Sequence, residues 1–274
     1  MNPVIRQIAS QLQAVYPANE AQEMAWWVVE ETTGLSRTQL LCGCKDTNFS
    51  ANMQEIIDRL LHFEPIQYIF GHTFWCGLDL KVTPDTLIPR PETAGLIDAV
   101  NALKLPENGI SVLDIGTGSG CIAIALKKKH PQWVVEGIDI SVPALAVAQE
   151  NAERNKVKIN FKKVDILSDF NEDSCKPFDI VVSNPPYICE REKENMRVNV
   201  LDYEPASALF VPDSDPLLFY KRIVSLRLGK YVFFEINEAY AMEIERLMNQ
   251  NGYTDILTSK DIYGKERIIQ GRIA

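Results

Sequence analysis

Apolar strands alternate with helices from Ile110 to the last residues of the sequence, and few folds fit this pattern. Parallel strands need crossover helices between them, so the alternation predicts a mostly parallel, doubly wound α/β sheet. No helix separates the last two strands, so we expect those two to pair antiparallel. We expect strands at residues 111–115, 133–138, 157–164, 178–183, 230–236, 253–257 and 267–270, and helices at residues 121–129, 143–155, 216–228 and 239–251.

The first 72 residues have apolar side chains at helical spacing, which predicts a small helical domain. Asn19, Ser36 and Ser50 are the expected N-caps of three helices, and Gly34 is the expected end of the first of them. Residues 73–88 have the pattern of a β-hairpin around Gly77. We expect this hairpin to link the helical domain to an α/β domain at residues 89–274.

The net charge of the chain argues against broad binding to nucleic acid, although it is compatible with a local basic patch. The chain has 274 residues and a net charge of −9, whereas broad binding to nucleic acid needs basic surface. Residues 1–85 hold five Lys or Arg against ten Asp or Glu, which suits either docking to a basic protein surface or a solvated helical bundle without such a partner. No apolar run reaches the roughly 20 residues of a membrane helix. The first residues lack a signal-peptide pattern. The six cysteines fit no zinc spacing, so no metal site is expected. We therefore expect a cytoplasmic protein with no membrane partner and no metal.

A glycine-rich turn made of Gly116, Thr117, Gly118, Ser119 and Gly120 follows the first strand of the alternating region. Its glycines let the backbone approach a ligand, and the helix that follows offers free N–H groups. An acid at the end of the second strand, about 20 residues further on, can bind ribose hydroxyls, and Asp139 has that position. The spacing differs from the dinucleotide fingerprint and resembles the motif of seven-strand S-adenosylmethionine-dependent methyltransferases. A structural turn without a nucleotide is the alternative.

The residues Asn184, Pro185, Pro186 and Tyr187 directly follow the fourth strand. Two prolines cannot continue a central strand, so the chain leaves the sheet at its carboxyl end, where α/β sheets bind ligands. Proline fixes φ, so this exit is stiff and can hold the Asn184 amide, the free Pro185 carbonyl and the Tyr187 ring in a fixed relation. The four residues alone fit a ligand site and a proline turn with a structural Asn equally well.

The chain resembles the release-factor glutamine N5-methyltransferases, the PrmC/HemK family, over nearly its whole length. The resemblance is carried by residues 64–71, 87–93, 114–120, 184–188, 203–205 and 264–267. It implies a helical N-terminal substrate-recognition domain, a hairpin linker and a class I methyltransferase domain. It further implies that S-adenosylmethionine is the methyl donor, and that the acceptor is the Gln of the Gly-Gly-Gln loop in peptide chain release factors, which act in translation termination.

The resemblance also implies roles for individual residues. The cofactor would contact Gly116, Thr117, Gly118, Ser119, Gly120, Asp139, Ile166 and Asn184. The substrate Gln would be held by Asn184, Pro185, Pro186 and Tyr187, with Asn184, Pro185 and Tyr187 as the catalytic residues. Two positions depart from the family pattern. Ala94 and Gly95 stand where acidic residues are common, and Ile166 stands where an aromatic residue is common.

Two other functions fit parts of the sequence. The Asn184–Tyr187 motif is shared with DNA and RNA methyltransferases that act on adenine or guanine amino groups. That function needs a basic surface for base recognition, which the acidic balance of this chain opposes. A noncatalytic cofactor-binding protein is the third possibility, and the intact motif opposes it. We expect a monomer whose partner is a release factor.

Overall fold

The computed structural model describes residues 2–42, 48–168 and 177–273. The chain forms two compact units. The smaller unit comprises Met1–Gly71 and Arg197–Tyr203, and the larger unit comprises His72–Met196 and Glu204–Ala274. The hairpin that the sequence predicts as a linker therefore belongs to the larger unit, and a second short segment joins the smaller one.

The smaller unit is helical. Its N-terminal segment contains α1 (Pro3–Leu12), α2 (Ala18–Thr33), α3 (Arg37–Leu41), α4 (Ala51–Leu61) and α5 (Ile66–Phe70). These helices bury apolar side chains at spacings of three and four residues, among them Ile5, Ile8 and Leu12 of α1 and Ile56, Ile57 and Leu60 of α4. Burial of one apolar face per helix holds the unit together. No helix in the described ranges is long and apolar enough to cross a membrane.

Two of the three predicted helix starts are confirmed. Ser36 forms a capping box with Gln39 at the start of α3, and the Ser50 hydroxyl accepts a hydrogen bond from the backbone at the start of α4. Gly34 ends α2 in the left-handed conformation, as predicted. The prediction for Asn19 is wrong, because α2 already begins at Ala18. Pro17 precedes that helix, and its fixed φ sets the helix start.

The segment Arg197–Tyr203 belongs to the smaller unit although it lies far along the chain. The Tyr203 hydroxyl donates to the His62 carbonyl at 2.9 Å, and Arg197 pairs with Glu20 at 3.2 Å. The smaller unit is therefore assembled from two separate stretches of sequence.

The larger unit is a sheet covered by helices. Its strands are β1 (His72–Trp75), β2 (Leu78–Lys81), β3 (Ser111–Ile115), β4 (Val134–Asp139), β5 (Asn160–Lys163), β6 (Phe178–Ser183), β7 (Ile188–Cys189), β8 (Phe210–Val211), β9 (Gly229–Glu235), β10 (Tyr253–Lys260) and β11 (Glu266–Ile273). Its helices are α6 (Ala94–Ala102), α7 (Cys121–Lys129), α8 (Val142–Arg154), α10 (Leu218–Leu226) and α11 (Ala241–Gln250), while α9 (Val198–Tyr203) belongs to the smaller unit.

The main sheet has seven strands in the order β10-β11-β9-β6-β3-β4-β5. The neighbours from β9 to β5 pair parallel, whereas β11 pairs antiparallel with both β9 and β10. The predicted class I fold and its antiparallel last pair are thus confirmed. The chain runs from β3 outward to β5 and then returns to β6 on the other side of β3. The carboxyl ends of β3 and β6 therefore flank a topological switch point, where such sheets bind ligands.

Central strands read as continuous apolar runs because helices cover both faces of the sheet. Ile180, Val181 and Val182 of β6 are all buried, as are Phe233 and Phe234 of β9. The predicted third strand is shorter than expected. It pairs over residues 160–163 alone, because β5 is an edge strand with the single neighbour β4.

The predicted hairpin around Gly77 is present as β1 and β2, and it packs on the larger unit. Trp75, Leu78 and Leu80 are buried in that unit's core. The Lys81 N–H donates to the Asn151 side chain at 2.6 Å, and the Asn151 amide donates to the Lys81 carbonyl at 2.9 Å. These bonds fix the hairpin to α8.

Candidate active site

A cavity of about 280 Å³ lies at the carboxyl ends of β3, β4 and β6. All of its lining residues belong to the larger unit. Nine of the eleven residues that the sequence predicts for the site line this cavity, and the other two are Gly120 and Tyr187. The fold therefore collects most of the predicted residues at the switch point of the sheet.

The glycine turn after β3 is held against β4 by its backbone. The N–H groups of Gly116 and Thr117 both donate to the Ile138 carbonyl, at 2.9 and 3.0 Å. Gly116 and Gly118 have φ angles of 71° and 55°, a conformation that favours glycine. No heavy atom lies within 4 Å of a β-carbon built on Gly116. The turn is thus fixed on the sheet side while it leaves space on the other side.

Gly120 serves packing rather than the cavity wall. Its φ is 80°, and a β-carbon there would lie 3.1 Å from side-chain atoms of both Ala148 and Ile124. The glycine therefore allows the start of α7 to approach α8. A direct contact of Gly120 with a ligand stays a prediction.

The Asp114 side chain, near the end of β3, supports the glycine turn through hydrogen bonds. Its Oδ2 atom accepts hydrogen bonds from the Thr117 hydroxyl at 2.7 Å and from the Ala123 N–H at 3.2 Å. Its Oδ1 atom is buried and has no partner among the described residues. Burial raises the pKa of Asp114 to about 7, because a buried carboxylate loses its solvation. The acid is a structural support of the turn.

Asp139 closes the cavity at the end of β4. Its two carboxylate oxygens accept the N–H groups of Gly118 and Ser141, each at 2.9 Å. Each oxygen keeps a further lone pair, and the residue lines the cavity. Ile140 and Ile166 provide apolar wall beside it. Acceptors for hydroxyl groups, an apolar wall and an open glycine turn fit an adenosine-bearing cofactor such as S-adenosylmethionine.

The Asn184 side chain lies at the other side of the cavity, at the end of β6. Its Nδ2 atom donates to the Thr93 hydroxyl at 3.3 Å, and Thr93 donates to the Glu235 Oε2 atom at 2.7 Å. The Tyr187 hydroxyl donates to the Glu235 Oε1 atom at 3.1 Å. Four residues from three separate parts of the chain thus form one hydrogen-bonded group.

Glu235 is the member of this group that the sequence analysis missed. Its exposure is 1%, and burial raises its pKa, while the hydrogen bonds from Thr93 and Tyr187 oppose that rise. Burial and the Glu235 charge also raise the pKa of Tyr187, so its phenol stays protonated at neutral pH. An acid at the end of an otherwise apolar strand, after Phe233 and Phe234, was the available signal.

Thr93 is positioned by the rigid stretch before it. Arg90 pairs with the buried carboxylate of Glu204 at 2.5 Å, and the same carboxylate accepts the Ile88 N–H at 3.1 Å. The Trp75 indole donates to the Arg90 carbonyl at 2.8 Å. The Arg90 guanidinium is thus paired with an acid that lies 114 residues further along the chain.

The small residues at positions 94 and 95 both lie in packed surroundings, and Ala94 packs against the apolar core of the larger unit. A β-carbon on Gly95 would lie 3.1 Å from the Ile268 side chain. Glycine therefore lets α6 approach β11. A longer side chain at position 95, such as an acidic one, would require Ile268 to move.

Comparison with known proteins adds sequence relatives over nearly the whole chain. The PrmC N-terminal domain matches residues 4–71, and the Methyltransferase small domain matches residues 96–206. The "Release factor glutamine methyltransferase" of Bacteroides thetaiotaomicron is 43% identical over 98% of this chain and 99% of that protein. The protein of the same name from Flavobacterium psychrophilum is 39% identical over 96% of both.

Solved structures share the fold at low sequence identity. The catalytic domain of hMettl16 in complex with the MAT2A 3'UTR hairpin 6 covers 72% of this chain and 76% of that chain, with a TM-score of 0.57 and 19% identity. The N-terminal domain of human METTL16 in complex with SAH covers 82% and 85%, with a TM-score of 0.51 and 17% identity. At this identity the likeness concerns the fold alone.

Proposed function

Because the chain belongs to the release factor glutamine methyltransferase family, we propose that it methylates the side-chain N5 of the Gln in the Gly-Gly-Gln loop of peptide chain release factors. The observation that carries this proposal is the orientation of the Asn184 carboxamide. The Asn184 side chain lines the cavity, and its Nδ2 atom donates to the Thr93 hydroxyl. Its Oδ1 atom has no hydrogen-bond partner among the described residues. A free acceptor is what an amide N–H requires.

S-adenosylmethionine supplies an electrophilic methyl group on a sulfonium when it is bound. The amide nitrogen of Gln is a weak nucleophile, so the protein has to orient it. Asn184 Oδ1 and the Pro185 carbonyl accept its two N–H groups and align its lone pair with the methyl group. The same acceptors stabilise the positive charge that develops on the nitrogen. The N–C bond would form as the donor's S–C bond breaks, and the nitrogen would then release its proton to water, so no strong base is needed.

We propose that Tyr187, although it lies outside the lining of the cavity in this structure, orients the planar amide of the substrate by stacking. Its hydroxyl is fixed by Glu235, so the ring has one preferred position. The raised pKa of Tyr187 keeps the phenol neutral, which argues against a role as a base. An aromatic face also tolerates the developing positive charge.

On the opposite side of the cavity, the Asp139 carboxylate would hold the ribose hydroxyls of the cofactor, the turn of Gly116, Thr117, Gly118 and Ser119 would lie beside it, and Ile166 would cover its adenine. The support for this assignment is the position of these residues on the cavity wall. The Asp139 oxygens accept two backbone N–H groups, which fixes the carboxylate before the cofactor arrives.

The smaller unit serves recognition of the intact release factor. A short loop offers little surface, whereas stable protein complexes bury more than about 1,200 Å². The acidic balance of residues 1–85 suits a basic partner surface. Release factors act in translation, so the proposed substrate places the reaction in the cytoplasm. We retain the prediction that the enzyme is a monomer.

A transfer assay with radiolabelled methyl donor tests the proposal against the nucleic-acid alternative. Purified release factor, DNA and RNA are offered separately to the wild-type enzyme and to Asn184→Ala. Label should enter only the release factor, and Asn184→Ala should incorporate almost none. Label in DNA or RNA with none in the release factor would overturn the proposal.

A further inference from the structure

We propose that Glu235 is a positioning residue that orients the Asn184 carboxamide through Thr93 and fixes the Tyr187 ring directly. The inference rests on the proposed function for its effect on turnover, but the hydrogen-bond directions follow from the protein alone. It assigns a role to Glu235 and Thr93, neither of which lies in the Asn184–Tyr187 motif.

The direction of each hydrogen bond follows from counting protons. An ionised carboxylate has no proton to donate, so Thr93 donates its single hydroxyl proton to Glu235. The Thr93 oxygen can then only accept from Asn184, and Nδ2 is the one donor that the Asn184 side chain has. Glu235 therefore determines which end of the carboxamide faces Thr93 and which end is free for the substrate.

The residues around the hydrogen-bonded pair Thr93 and Glu235, here called the relay, hold it in place. Thr93 and Glu235 are 2% and 1% exposed, so water does not compete for their hydrogen bonds. The Tyr220 hydroxyl donates to the Glu235 carbonyl at 2.9 Å, which holds the end of β9. Thr93 lies at the start of α6, three residues after Arg90, whose ion pair with Glu204 fixes that stretch. Both members of the relay are thus anchored independently of the substrate.

The carboxylate holds two functional groups at once. Its Oε2 atom accepts from Thr93 and its Oε1 atom accepts from Tyr187. Arg267 is the cation that favours the ionised form, and Glu92 is the acid that opposes it. Glu235 therefore fixes both the orientation of the Asn184 carboxamide, through Thr93, and the position of the Tyr187 ring that stacks on the substrate amide.

The test compares Thr93→Val, which removes the hydroxyl at similar size, with Thr93→Ser, which keeps it. On release factor, Thr93→Val should lower kcat by roughly tenfold to a hundredfold with little change in KM, because an interaction of the transition state is disturbed. Thr93→Ser should restore most of the rate. Thr73→Val is a matched control, since Thr73 is buried in β1 away from the cavity.

A second readout does not depend on the substrate. In the ¹⁵N NMR spectrum, the Asn184 side-chain NH₂ should exchange slowly with solvent in the wild type and in Thr93→Ser, and fast in Thr93→Val. Folding is checked by S-adenosylhomocysteine binding. A folded Thr93→Val enzyme with wild-type kcat would overturn the inference, as would equal losses in both Thr93 variants. Slow exchange in an enzyme that does not methylate release factor would leave the inference standing and overturn the proposed function.

Discussion

The two sides of the cavity are built by different means. We call Gly116–Ser119 and Asp139 the cofactor end. We call Thr93 and Asn184 of the cavity wall, together with Tyr187 and Glu235, which are hydrogen-bonded to this side but lie outside the cavity lining, the acceptor end. The cofactor end is held by local hydrogen bonds within residues 114–141, mainly from backbone N–H groups to backbone carbonyls or to the Asp139 carboxylate. The acceptor end is held by side-chain hydrogen bonds between residues up to 142 positions apart. Substitutions at the cofactor end should therefore affect ligand binding, and substitutions at the acceptor end should affect turnover.

The largest effect should follow Asn184→Ala, which removes the acceptor oxygen. We expect kcat to fall by about a hundredfold or more, the cost of losing one positioned group of this kind. S-adenosylhomocysteine binding should weaken far less. Turnover assays and calorimetry check both. A folded Asn184→Ala enzyme with near wild-type turnover would remove the acceptor end from the mechanism.

Asp139→Ala should show the opposite behaviour. Loss of a charged hydrogen-bond acceptor costs about 1.5–3 kcal/mol, so the Kd for S-adenosylhomocysteine should rise by roughly tenfold to a hundredfold. Glu136→Gln is the matched control on the same strand, because Glu136 pairs with Lys162 away from the cavity. An unchanged Kd for Asp139→Ala, measured by calorimetry, would move the ribose contact to another residue.

The pH dependence of turnover should follow Glu235. Its pKa is raised above the ordinary value of 4.5, so it takes up a proton at a higher pH than an exposed glutamate. The protonated acid can donate to Thr93, which then donates its own proton to Asn184. The Asn184 carboxamide must then rotate so that Oδ1 faces Thr93, and Oδ1 is no longer free for the substrate. As pH falls below this pKa, kcat should decline by about tenfold per unit.

Glu235→Gln cannot titrate and is the control for that decline. Its kcat profile should lack the acidic limb while its S-adenosylhomocysteine binding is retained. The same acidic limb in both enzymes would assign the titration to a group other than Glu235.

The packing role of Gly120, which lies next to the cofactor end at the start of α7, can be measured as stability. Gly120→Ala would both strain the backbone and overpack Ala148 and Ile124, at about 1–3 kcal/mol for the overpacking alone. Gly109→Ala is a matched control with a φ of 82° and no heavy atom near its β-carbon, so only strain of about 1–2 kcal/mol applies. Urea unfolding should rank Gly120→Ala as the less stable variant. Equal losses would show that packing at Gly120 contributes nothing.

The smallest effects should come from variants outside both ends. Glu31→Lys and Glu55→Lys reverse exposed charges on α2 and α4 of the smaller unit. If this unit recognises the release factor, KM for the intact protein should rise on the order of a few-fold, as for charges at an interface rim. Steady-state kinetics should give an unchanged KM for a Gly-Gly-Gln peptide. Parallel changes with both substrates would contradict the recognition role.

The cofactor end is contiguous in sequence and the acceptor end is not, and this difference determines which site residues can be predicted from the sequence. The cofactor end is one contiguous motif followed by an acid, so its residues were predicted together, and they line one cavity. At the acceptor end, Asn184 and Tyr187 were visible because two prolines lie between them. The acid at the end of the apolar strand β9 was a visible signal, but the partners of Glu235 were not, because strand order in the sheet brings β9 beside β6 and no local pattern encodes that neighbour.

The elements missed by the sequence analysis share one physical cause. The stretch from β7 to β8 has short polar elements without a clear period, so neither helix α9 nor the β7–β8 pair was expected. Its chain partners are distant: Glu204 binds Arg90, and Tyr203 binds His62. Periodicity predicts elements with an apolar face of their own. It does not predict segments whose position depends on partners elsewhere in the sequence.

The most direct test of the account is to locate the transferred methyl group. Release factor is incubated with the enzyme and S-adenosylmethionine, and its peptides are sequenced by tandem mass spectrometry. The account predicts a single added methyl group on the side-chain nitrogen of the Gln in the Gly-Gly-Gln loop, and none with Asn184→Ala. A methyl group on another residue, or an unmodified release factor beside methylated nucleic acid, would contradict it.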